Sequence, residues 1–478
     1  MIKDFTIKGE WFLPSSPTYR VHGTLKFHPT EGADLELYGS LYGEGFFPGF
    51  KDQDVILGLS SDSKQITLSD CYMTKSGGTT LVKGGESGKP SVSYSIGYIL
   101  IGLHVNSPDD LIFNKISSEI FNLDEWIGIS GFVNHPTDFS DNNRYKINVE
   151  YKLPEPIKFQ IDKETNGRFN FTANHPGISR YQKTVNITQR VQFQAETKTE
   201  KSIGDLLKYI LSFQNFLILA LYRSTFPISI TLSGEKHKND YGDGKTYKKD
   251  IKLYFAISNF KEHEKLKLDF EMIFSYKRIK ENFPVIIKNW FAKYELLEPA
   301  FNLVFEQFYN GNRFTENTFL NLAQSAETFH ARIHNHTRIP KPEYKSMKEE
   351  ILKVSPIQYH GWLKDQFNFG NNLNLHARLT ELTEKYSNEI LDQILGAKEQ
   401  FVLNVKNSRN YYTHYSNDGK KKALKGTELF YLSERLKILL VCSFLEEIGL
   451  PKDKLALSLD KLKWILFNHL TNWREEKK

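Results

Sequence analysis

The sequence predicts an α+β protein of several domains: a β-rich N-terminal region, a mixed middle region and a C-terminal all-helical bundle. Three observations predict this organisation. The chain has 478 residues, which is too many for one hydrophobic core. Its first part consists of short alternating or β-branched runs separated by Gly-, Ser-, Asp- and Pro-rich turns. From about residue 284 onward, apolar residues recur at the spacing of one helix face.

Residues 1–195 are assigned to the β-rich domain. Its strands are predicted from β-branched or alternating runs at 23–27, 35–38, 55–59 and 65–68. Many short strands of this kind are typical of a β-sandwich or a curved sheet. We therefore expect one of these two arrangements in the N-terminal domain.

Residues 196–290 are predicted to extend this domain as a mixed segment. It contains one predicted helix, at 203–222, and two predicted strands, at 228–232 and 251–255. Within the helix, the 14 residues from Tyr209 to Tyr222 carry no charge. A run of this length is shorter than the roughly 18–20 residues that span a bilayer. We expect a buried helix and no contact with a membrane.

Residues 291–478 are predicted to form the helical bundle. Apolar residues at helical spacing predict helices at Trp290–Phe308, Thr318–His330, Leu379–Leu395, Glu399–Tyr411, Glu428–Leu445 and Asp453–Leu470. The sequence Leu450-Pro451 marks the break before the last of them.

The composition restricts the classes of protein. The net charge of +6 is small for this length, so it permits a local basic surface for nucleic acid without requiring one. Two cysteines, Cys71 and Cys442, exclude a disulfide framework and a Cys-rich zinc module. The N-terminus lacks the apolar core of a signal peptide. A reducing cytoplasm is the expected location.

The candidate active site is the run Arg409–His414 (RNYYTH), at the end of a predicted helix. Asn410 and His414 share a helix face, whereas Arg409 lies to one side unless the helix bends or ends there. Arginine binds a scissile phosphate and stabilises transition-state charge, and histidine moves protons near neutral pH. Asn410 is expected to orient the site. The alternative is an ordinary helix end, where Arg and His bind carbonyl oxygens.

If the 2′-hydroxyl of RNA is the nucleophile, this chemistry needs neither a metal nor another cofactor. The products would then carry a 2′,3′-cyclic phosphate and a 5′-hydroxyl. The pattern Arg-Asn-x-x-x-His in a helical bundle resembles the HEPN ribonucleases. A fuller resemblance is to the ApeA-type anti-phage defence proteins. Their C-terminal HEPN domain carries a run like Arg409–Tyr415 and an upstream helix like Phe319–His330. Their N-terminal region resembles Gly9–Pro14, Gly23–Phe27 and Leu123–Trp126.

This resemblance covers nearly the whole chain, and it implies a bacterial, cytoplasmic abortive-infection toxin that cuts RNA, with tRNA as the expected target. HEPN domains commonly dimerise and place two Arg/His motifs in one cleft, so a homodimer is implied. A polar or acidic residue on the earlier helix supports the site in this family. Glu327 is the matching residue here, with Gln324 one turn before it. By exclusion, the N-terminal region is assigned to sensing or restraint, with a phage-derived trigger.

Three histidines follow Glu327, at positions 330, 334 and 336. His330 and His334 have the i, i+4 spacing of a zinc pair, but the intervening residues differ from His-Glu-x-x-His and no third ligand is evident. We therefore expect no metal site. Glu327 is interpreted as a support for Arg409 and His330 as a further supporting residue, with the histidines on the surface.

Aromatic and basic residues next to the motif are candidates for RNA binding: Tyr412, Tyr415, Lys420, Lys421, Lys422 and Lys425. Aromatic rings beside a basic site stack on unpaired bases, and lysines bind phosphates without reading the sequence. The alternative for the tyrosines is core packing, which we favour for Tyr411. The alternative for the lysines is a solvated loop.

Two other functions stay open on the sequence alone. A HEPN-type domain without nuclease activity would serve as a dimerisation or partner-binding module in a toxin–antitoxin or defence system. The intact Arg409 and His414 argue against it. A metal-dependent hydrolase in the N-terminal half would use acids such as Asp109–Asp110 or Asp124–Glu125, which adjoin turn-like sequence typical of solvated acids. Loss of activity in the presence of a chelator would identify such a metal-dependent hydrolase.

Overall fold

The computed structural model describes residues 2–43, 50–76, 91–133, 138–141, 144–146, 148–174, 176–177, 181, 183–240, 245–261, 264–309, 315–334 and 336–476. The chain divides into two compact units, residues 1–277 and 278–478. The predicted boundaries at 195 and 290 differ from this division. A strand over Gln189–Ser202 runs through the first, and a helix over Phe283–Tyr309 runs through the second.

The first unit is built mainly from strands. They are β1 (Phe5–Phe12), β2 (Val21–His28), β3 (Gly32–Leu37), β4 (Gln53–Ser60), β5 (Gln65–Ser76), β6 (Val92–Ile101), β7 (Ile112–Ile120), β8 (Phe132–Val133), β9 (Asp138–Asp141), β10 (Arg144–Lys146), β11 (Glu150–Tyr151), β12 (Ile157–Gln160), β13 (Thr165–Ala173), β14 (Gln189–Ser202), β15 (Pro227–Ser233), β16 (Lys238–Asp240), β17 (Thr246–Lys248) and β18 (Ile251–Tyr254). Its helices are α1 (Leu123–Ile127) and α2 (Ile203–Leu221), with α3 (Tyr276–Ile279) at the junction of the units.

Six of these strands close into an antiparallel barrel, in the order β1-β2-β3-β6-β5-β4, with β4 pairing back to β1. Alternate side chains fill its interior, as the period of two in a β-strand requires. Trp11 is fully buried, and a Cβ at Gly58 would lie only 2.3 Å from its ring. Of the two predicted arrangements, the curved sheet is observed, and it closes on itself.

The sheet continues from the barrel through β18, which pairs with the end of β6, to β15, β7, β14, β13 and β12. Helix α2 packs on β7 and β14, and the rings of Phe193 and Phe213 stack with centroids 4.1 Å apart. Within the described ranges, α2 alone is long and apolar enough to cross a membrane, and 72% of its apolar window is buried inside the unit. This helix is the core helix of the first unit, and it agrees with the predicted span 203–222.

The second unit is helical. Its helices are α4 (Phe283–Tyr309), α5 (Thr315–Ile333), α6 (Lys341–Val354), α7 (His360–Gly370), α8 (Leu375–Lys385), α9 (Glu389–Leu395), α10 (Lys398–His414), α11 (Asn417–Lys422), α12 (Gly426–Glu447) and α13 (Lys452–Glu476). Helix α5 occupies the centre and contacts α4, α8, α10 and α12. The predicted fold class is confirmed, with a β-rich N-terminal region and a helical C-terminal region.

An ion cluster joins three of these helices. Glu447 accepts hydrogen bonds from Lys293 at 2.6 Å, from Lys385 at 2.8 Å and from the Tyr386 hydroxyl at 2.8 Å. Burial opposes ionisation of this carboxyl group, but the three donors outweigh it and lower its pKa to about 2. The cluster fixes the end of α12 against α4 and α8.

The prediction of a single helix over Leu379–Leu395 is wrong. The chain forms α8 and α9 there, because the Asn388 side chain accepts the N–H of Leu391 at 2.9 Å and caps a new helix. Helices α6 and α7 were not predicted. They bury no residue, although apolar residues do recur on one side of each, so the sequence did carry a helix signal at these positions.

Candidate active site of the helical unit

The regular geometry of an α-helix determines the direction in which each motif residue points. Helix α10 continues without interruption to His414, and Tyr415 then closes it in the left-handed conformation, its N–H donating to Tyr411 O at 2.6 Å. Five residues of α-helix correspond to a rotation of about 500°, so Arg409 and His414 lie about 140° apart around the axis. Asn410 and His414 share a face, as predicted. Within one chain, the arginine and the histidine therefore point in different directions.

Arg409 is held by the earlier helix. Its Nη2 donates to the two carboxylate oxygens of Glu327 on α5, at 3.1 and 3.5 Å, and its Nη1 donates to Asn410 Oδ1 at 3.4 Å. The two charged side chains remain 32% and 28% exposed. The structure thus brings together Arg409, Asn410 and Glu327, while part of the guanidinium stays accessible to a ligand.

His414 is exposed at the last position of α10. Among the residues that the structure describes, none forms a hydrogen bond or ion pair with its imidazole. An exposed imidazole at a helix end can come within hydrogen-bond distance of a bound substrate, which a general acid or base must do. Gln324 is also exposed on α5, and no described residue links it by a hydrogen bond to the motif.

The tyrosines and lysines beside the motif have different surroundings. Tyr412 is buried and its hydroxyl donates to Leu424 O at 3.0 Å, whereas Tyr415 is 66% exposed. Helix α11 begins directly after Tyr415 and Ser416, and the Ser416 side chain caps it by accepting the N–H of Gly419. Lysines 420, 421 and 422 lie on α11, and Lys425 follows it; all four are exposed.

Comparison with known families gives two matches. The model for ApeA N-terminal domain 1 matches residues 6–290, more than half of the chain, and the model for Apea-like HEPN matches residues 320–454. The chain belongs to the ApeA-type proteins and carries a C-terminal HEPN domain. No curated protein and no solved structure matches it. It is therefore a defence-related HEPN protein, and HEPN domains are typically nucleases.

Behind Glu327, the HEPN domain has a partly buried hydrogen-bonded network around His330 that the sequence did not predict. His330 Nε2 bonds Glu381 Oε2 at 2.7 Å, and Arg378 Nη1 lies 3.3 Å from His330 Nδ1 and 3.4 Å from Glu327 O. His330 is only 1% exposed, so the expectation that it lies on the surface is wrong. It faces α8 and contacts neither Arg409 nor His414 by any hydrogen bond within the described ranges.

Burial and hydrogen bonding determine the protonation states of His330 and Glu381. Burial lowers the pKa of His330 to about 4, despite the opposing hydrogen bond to Glu381, so the imidazole is neutral at pH 7. Burial opposes ionisation of Glu381, but hydrogen bonds from His330 and His336 outweigh it and lower the pKa of this carboxyl. The neutral His330 therefore donates to ionised Glu381 and accepts from Arg378, which braces the turn of α5 that presents Glu327. Among the described residues, no group of three or more His, Cys, Asp or Glu side chains is arranged to hold a metal ion.

The acids of the first unit differ from expectation at one position. Asp124 lies in the first turn of α1 and lines a cavity of about 320 Å³ with Glu119, Glu125 and Arg190. Burial, and then the charge of Glu125, raise the pKa of Asp124 to about 7. Its expected character as a solvated acid is therefore wrong.

The change Glu327→Gln tests the support of Arg409. We expect the free energy of unfolding to change by less than about 1 kcal/mol, because a pair exposed to about this degree contributes little to stability. RNA cleavage is expected to fall by roughly 10²-fold, because a small misplacement of a catalytic group has an effect of that size. Rates and thermal unfolding of both proteins provide the measurement. Glu399→Gln, an exposed change on α10, is the control, and an unaltered rate in Glu327→Gln would contradict the assigned support.

Tyr415 has an unfavourable backbone conformation, with φ at 49°. Glycine is the usual residue at such a helix end, so Tyr415→Gly is expected to stabilise the domain by about 0.5–1 kcal/mol, after the entropy of glycine in the unfolded chain is subtracted. If Tyr415 stacks on unpaired bases, as the sequence predicts, RNA binding should weaken in the same variant. Urea unfolding and RNA titration measure the two effects. Tyr415→Phe keeps the ring and should leave both near wild type, and a Tyr415→Gly protein of lower stability would identify the ring as a packing residue.

Proposed function

We propose that this ApeA-type chain is an anti-phage endoribonuclease that cuts RNA, with tRNA as its target, by a metal-independent reaction. One observation supports it above the others. Arg409 is oriented by Glu327 with part of its guanidinium accessible, and the same helix ends in an exposed His414 that no described residue engages. These are the groups that phosphodiester cleavage needs.

The reaction follows from the chemistry of these groups. The 2′-hydroxyl of the RNA attacks the adjacent phosphorus, so that a 2′-O–P bond forms and the P–O5′ bond breaks. A proton leaves the 2′-hydroxyl and a proton reaches the departing 5′-oxygen, and His414 moves one of these two protons. Arg409 binds the phosphate oxygens through two parallel N–H groups and stabilises the negative charge that develops. A 2′,3′-cyclic phosphate and a 5′-hydroxyl result.

The surroundings of the motif suit a polyanion. Lysines 420, 421 and 422 on α11 present three exposed cations six to eight residues after His414. The loop that follows is fixed to α10, because Leu424 donates its N–H to Ser408 Oγ at 3.1 Å and accepts the Tyr412 hydroxyl. In this proposal the lysines bind the RNA backbone and position it without reading its sequence.

Two motifs in a homodimer complete the proposal. Because Arg409 and His414 of one chain face directions about 140° apart, a second copy facing the first would supply the missing partner for each. The proposal also places the protein in the bacterial cytoplasm, where its two buried cysteines stay reduced, and assigns sensing of a phage-derived trigger to the first unit.

The test is cleavage of total bacterial RNA by purified protein in the presence of EDTA. We expect wild type to produce discrete fragments with 2′,3′-cyclic phosphate and 5′-hydroxyl ends, and His414→Ala to produce none, because the 2′-hydroxyl and the protein side chains supply all the reacting groups. End-group mapping after gel separation provides the measurement. Extract from infected cells is added in parallel to supply a trigger. Cleavage by wild type that EDTA abolishes would contradict the metal-independent mechanism.

A second candidate is a HEPN domain that binds a partner without cutting RNA. The ion pair between Arg409 and Glu327 favours it, since such a pair is also an ordinary structural contact between two helices. Absence of cleavage by wild type in both purified and infected-cell conditions would support this candidate.

A further inference from the structure

A cavity of about 500 Å³ opens between the first turn of α5 and the C-terminal end of α10. Its lining is mainly aromatic and charged: Glu316, Asn317, Tyr411, Tyr412, Tyr415 and Lys425. Its volume lies within the range of roughly 300–1,000 Å³ that is typical of ligand sites. The cavity adjoins the candidate active site, because three of its residues come from the motif or directly follow it.

The three tyrosines have separate parts in this cavity. Tyr412 is a wall, because its hydroxyl is occupied by Leu424 O and its ring contacts Phe319, with ring centroids 6.3 Å apart. The Tyr411 ring carries Lys425 Nζ at 5.7 Å from its centroid. The ring of Tyr415 is inclined at 62° to that of Tyr411 and is 66% exposed. Tyr415 is therefore the ring that remains available to stack on a flat ligand.

The negative charge of Glu316 in this cavity is not explained by binding of RNA phosphates. It lies half-buried in the first turn of α5, and its charge adds to the burial that raises the pKa of Tyr412. None of the described residues forms an ion pair with it. An acid in a first turn stabilises the helix dipole, but an acid beside an RNA site also repels phosphate. A ligand that approaches this carboxylate must present N–H donors.

The edges of the four bases differ in these donors. Guanine presents two adjacent N–H donors, at N1 and N2, which match the two oxygens of one carboxylate. Adenine and cytosine present a single amino group beside an acceptor nitrogen, and uracil presents one N–H between two carbonyl oxygens. A carboxylate accepts but does not donate hydrogen bonds, so each of the other three bases would place an acceptor against it.

We propose that this cavity binds one unpaired guanine of the RNA, stacked on Tyr415 with its N1–H and N2–H donated to Glu316. The proposal rests on the proposed ribonuclease function and gives it a sequence preference. Lys425 binds the phosphate attached to this nucleotide. The lysine stays near the cavity because its neighbour Leu424 accepts a hydrogen bond from the Tyr412 hydroxyl. The neighbouring phosphodiester then extends toward His414, at the end of the same helix.

The test measures binding with the full-length His414→Ala chain, so that cleavage does not alter the probe. Fluorescently labelled hexauridylate carrying one guanosine, adenosine or inosine is titrated by anisotropy. We expect the guanosine probe to bind about tenfold more tightly than the adenosine probe, as a bidentate contact to a base predicts. Inosine lacks the N2 amino group and is expected to lie between them. Equal affinity for guanosine and adenosine would overturn the proposal.

Two variants test whether Glu316 is the source of the guanine preference. Glu316→Gln is expected to equalise the guanosine and adenosine probes, whereas Glu399→Gln should keep the preference. A preference that survives in Glu316→Gln would overturn the proposal.

Competition by unlabelled GMP and GTP distinguishes a site for a base within RNA from a site for a free nucleotide. We expect them to compete only at concentrations at least about tenfold above the guanosine hexamer, since they lack the flanking phosphates that the lysines bind. Competition at or below the hexamer's concentration would assign the cavity to a free guanine nucleotide.

Cleavage by wild type is measured separately. A guanine preference without cleavage would leave this subsite in place and refute the proposed ribonuclease function. Cleavage without a guanine preference would do the reverse, so the two failures are distinguishable.

Discussion

RNA cleavage is expected to fall by at least about 10²-fold in Arg409→Ala and in His414→Ala, while both proteins stay folded. Removing one positioned donor to a developing oxyanion typically costs 10²–10³-fold, and loss of a general acid or base costs 10²–10⁴-fold. Stability should change little, because His414 is exposed and the contacts of Arg409 with Glu327 and Asn410 are exposed or only partly buried. Single-turnover cleavage of labelled RNA, with thermal unfolding in parallel, provides the measurement.

The controls for this pair lie in the same HEPN domain. Arg332→Ala removes an exposed arginine of α5, and His376→Ala removes a histidine of α8 for which no described residue is a side-chain partner. Both are expected to cut RNA at rates near wild type. Rates near wild type in Arg409→Ala or His414→Ala would refute the site. A large loss of stability in either would make its rate uninformative about chemistry, and the milder changes Arg409→Lys and His414→Gln would then be compared.

The helical half of the fold could be predicted because its signal is local. Helices α4, α5, α10 and α13 each bury one face, whose apolar residues recur at helical spacing, and α12 is buried on all sides over Ile438–Leu445. Helices α6 and α7 carry a similar one-sided apolar spacing but bury nothing, so the spacing alone does not distinguish helices of the packed core from exposed ones. The division between α8 and α9 depends on the side chain of Asn388, whose effect is invisible to periodicity.

Closure of the barrel could not be predicted for a different reason. Which strand pairs with which depends on residues far apart in sequence, as in the pairing of β1 with both β2 and β4. Alternation identifies a strand and its buried face but does not name its neighbours. The sequence therefore limited the N-terminal region to a sandwich or a curved sheet, and only the structure decides between them.

The candidate site likewise combines residues that are close in sequence with contacts between residues that are far apart. Arg409, Asn410 and His414 are recognisable because they stand within six residues of each other. The contact between Glu327 and Arg409 spans 82 residues and was expected only from the family resemblance. Glu381 and Arg378, which brace His330, had no signal at all, since their contacts cross 51 and 48 residues.

Two heterodimers are expected to behave in opposite ways if each active site takes Arg409 from one chain and His414 from its partner. The first joins Arg409→Ala with His414→Ala, and it keeps one complete pair across the interface. We expect it to cut RNA at about half the rate of wild type, because a symmetric dimer has two equivalent pairs. Both parent homodimers are expected to be inactive.

The second heterodimer joins wild type with the double variant Arg409→Ala/His414→Ala. Here every pair across the interface has lost one member, so we expect no cleavage, although one chain is fully intact. Two different affinity tags, purified in sequence after co-expression, isolate each heterodimer, and single-turnover rates provide the measurement. The reverse result, an inactive first heterodimer and a half-active second one, would place both residues of a site in one chain. Inactivity of both would mean that each cut needs all four side chains. Activity of the first heterodimer with inactivity of the second is the outcome we expect from α10, because a straight helix presents Arg409 and His414 about 140° apart.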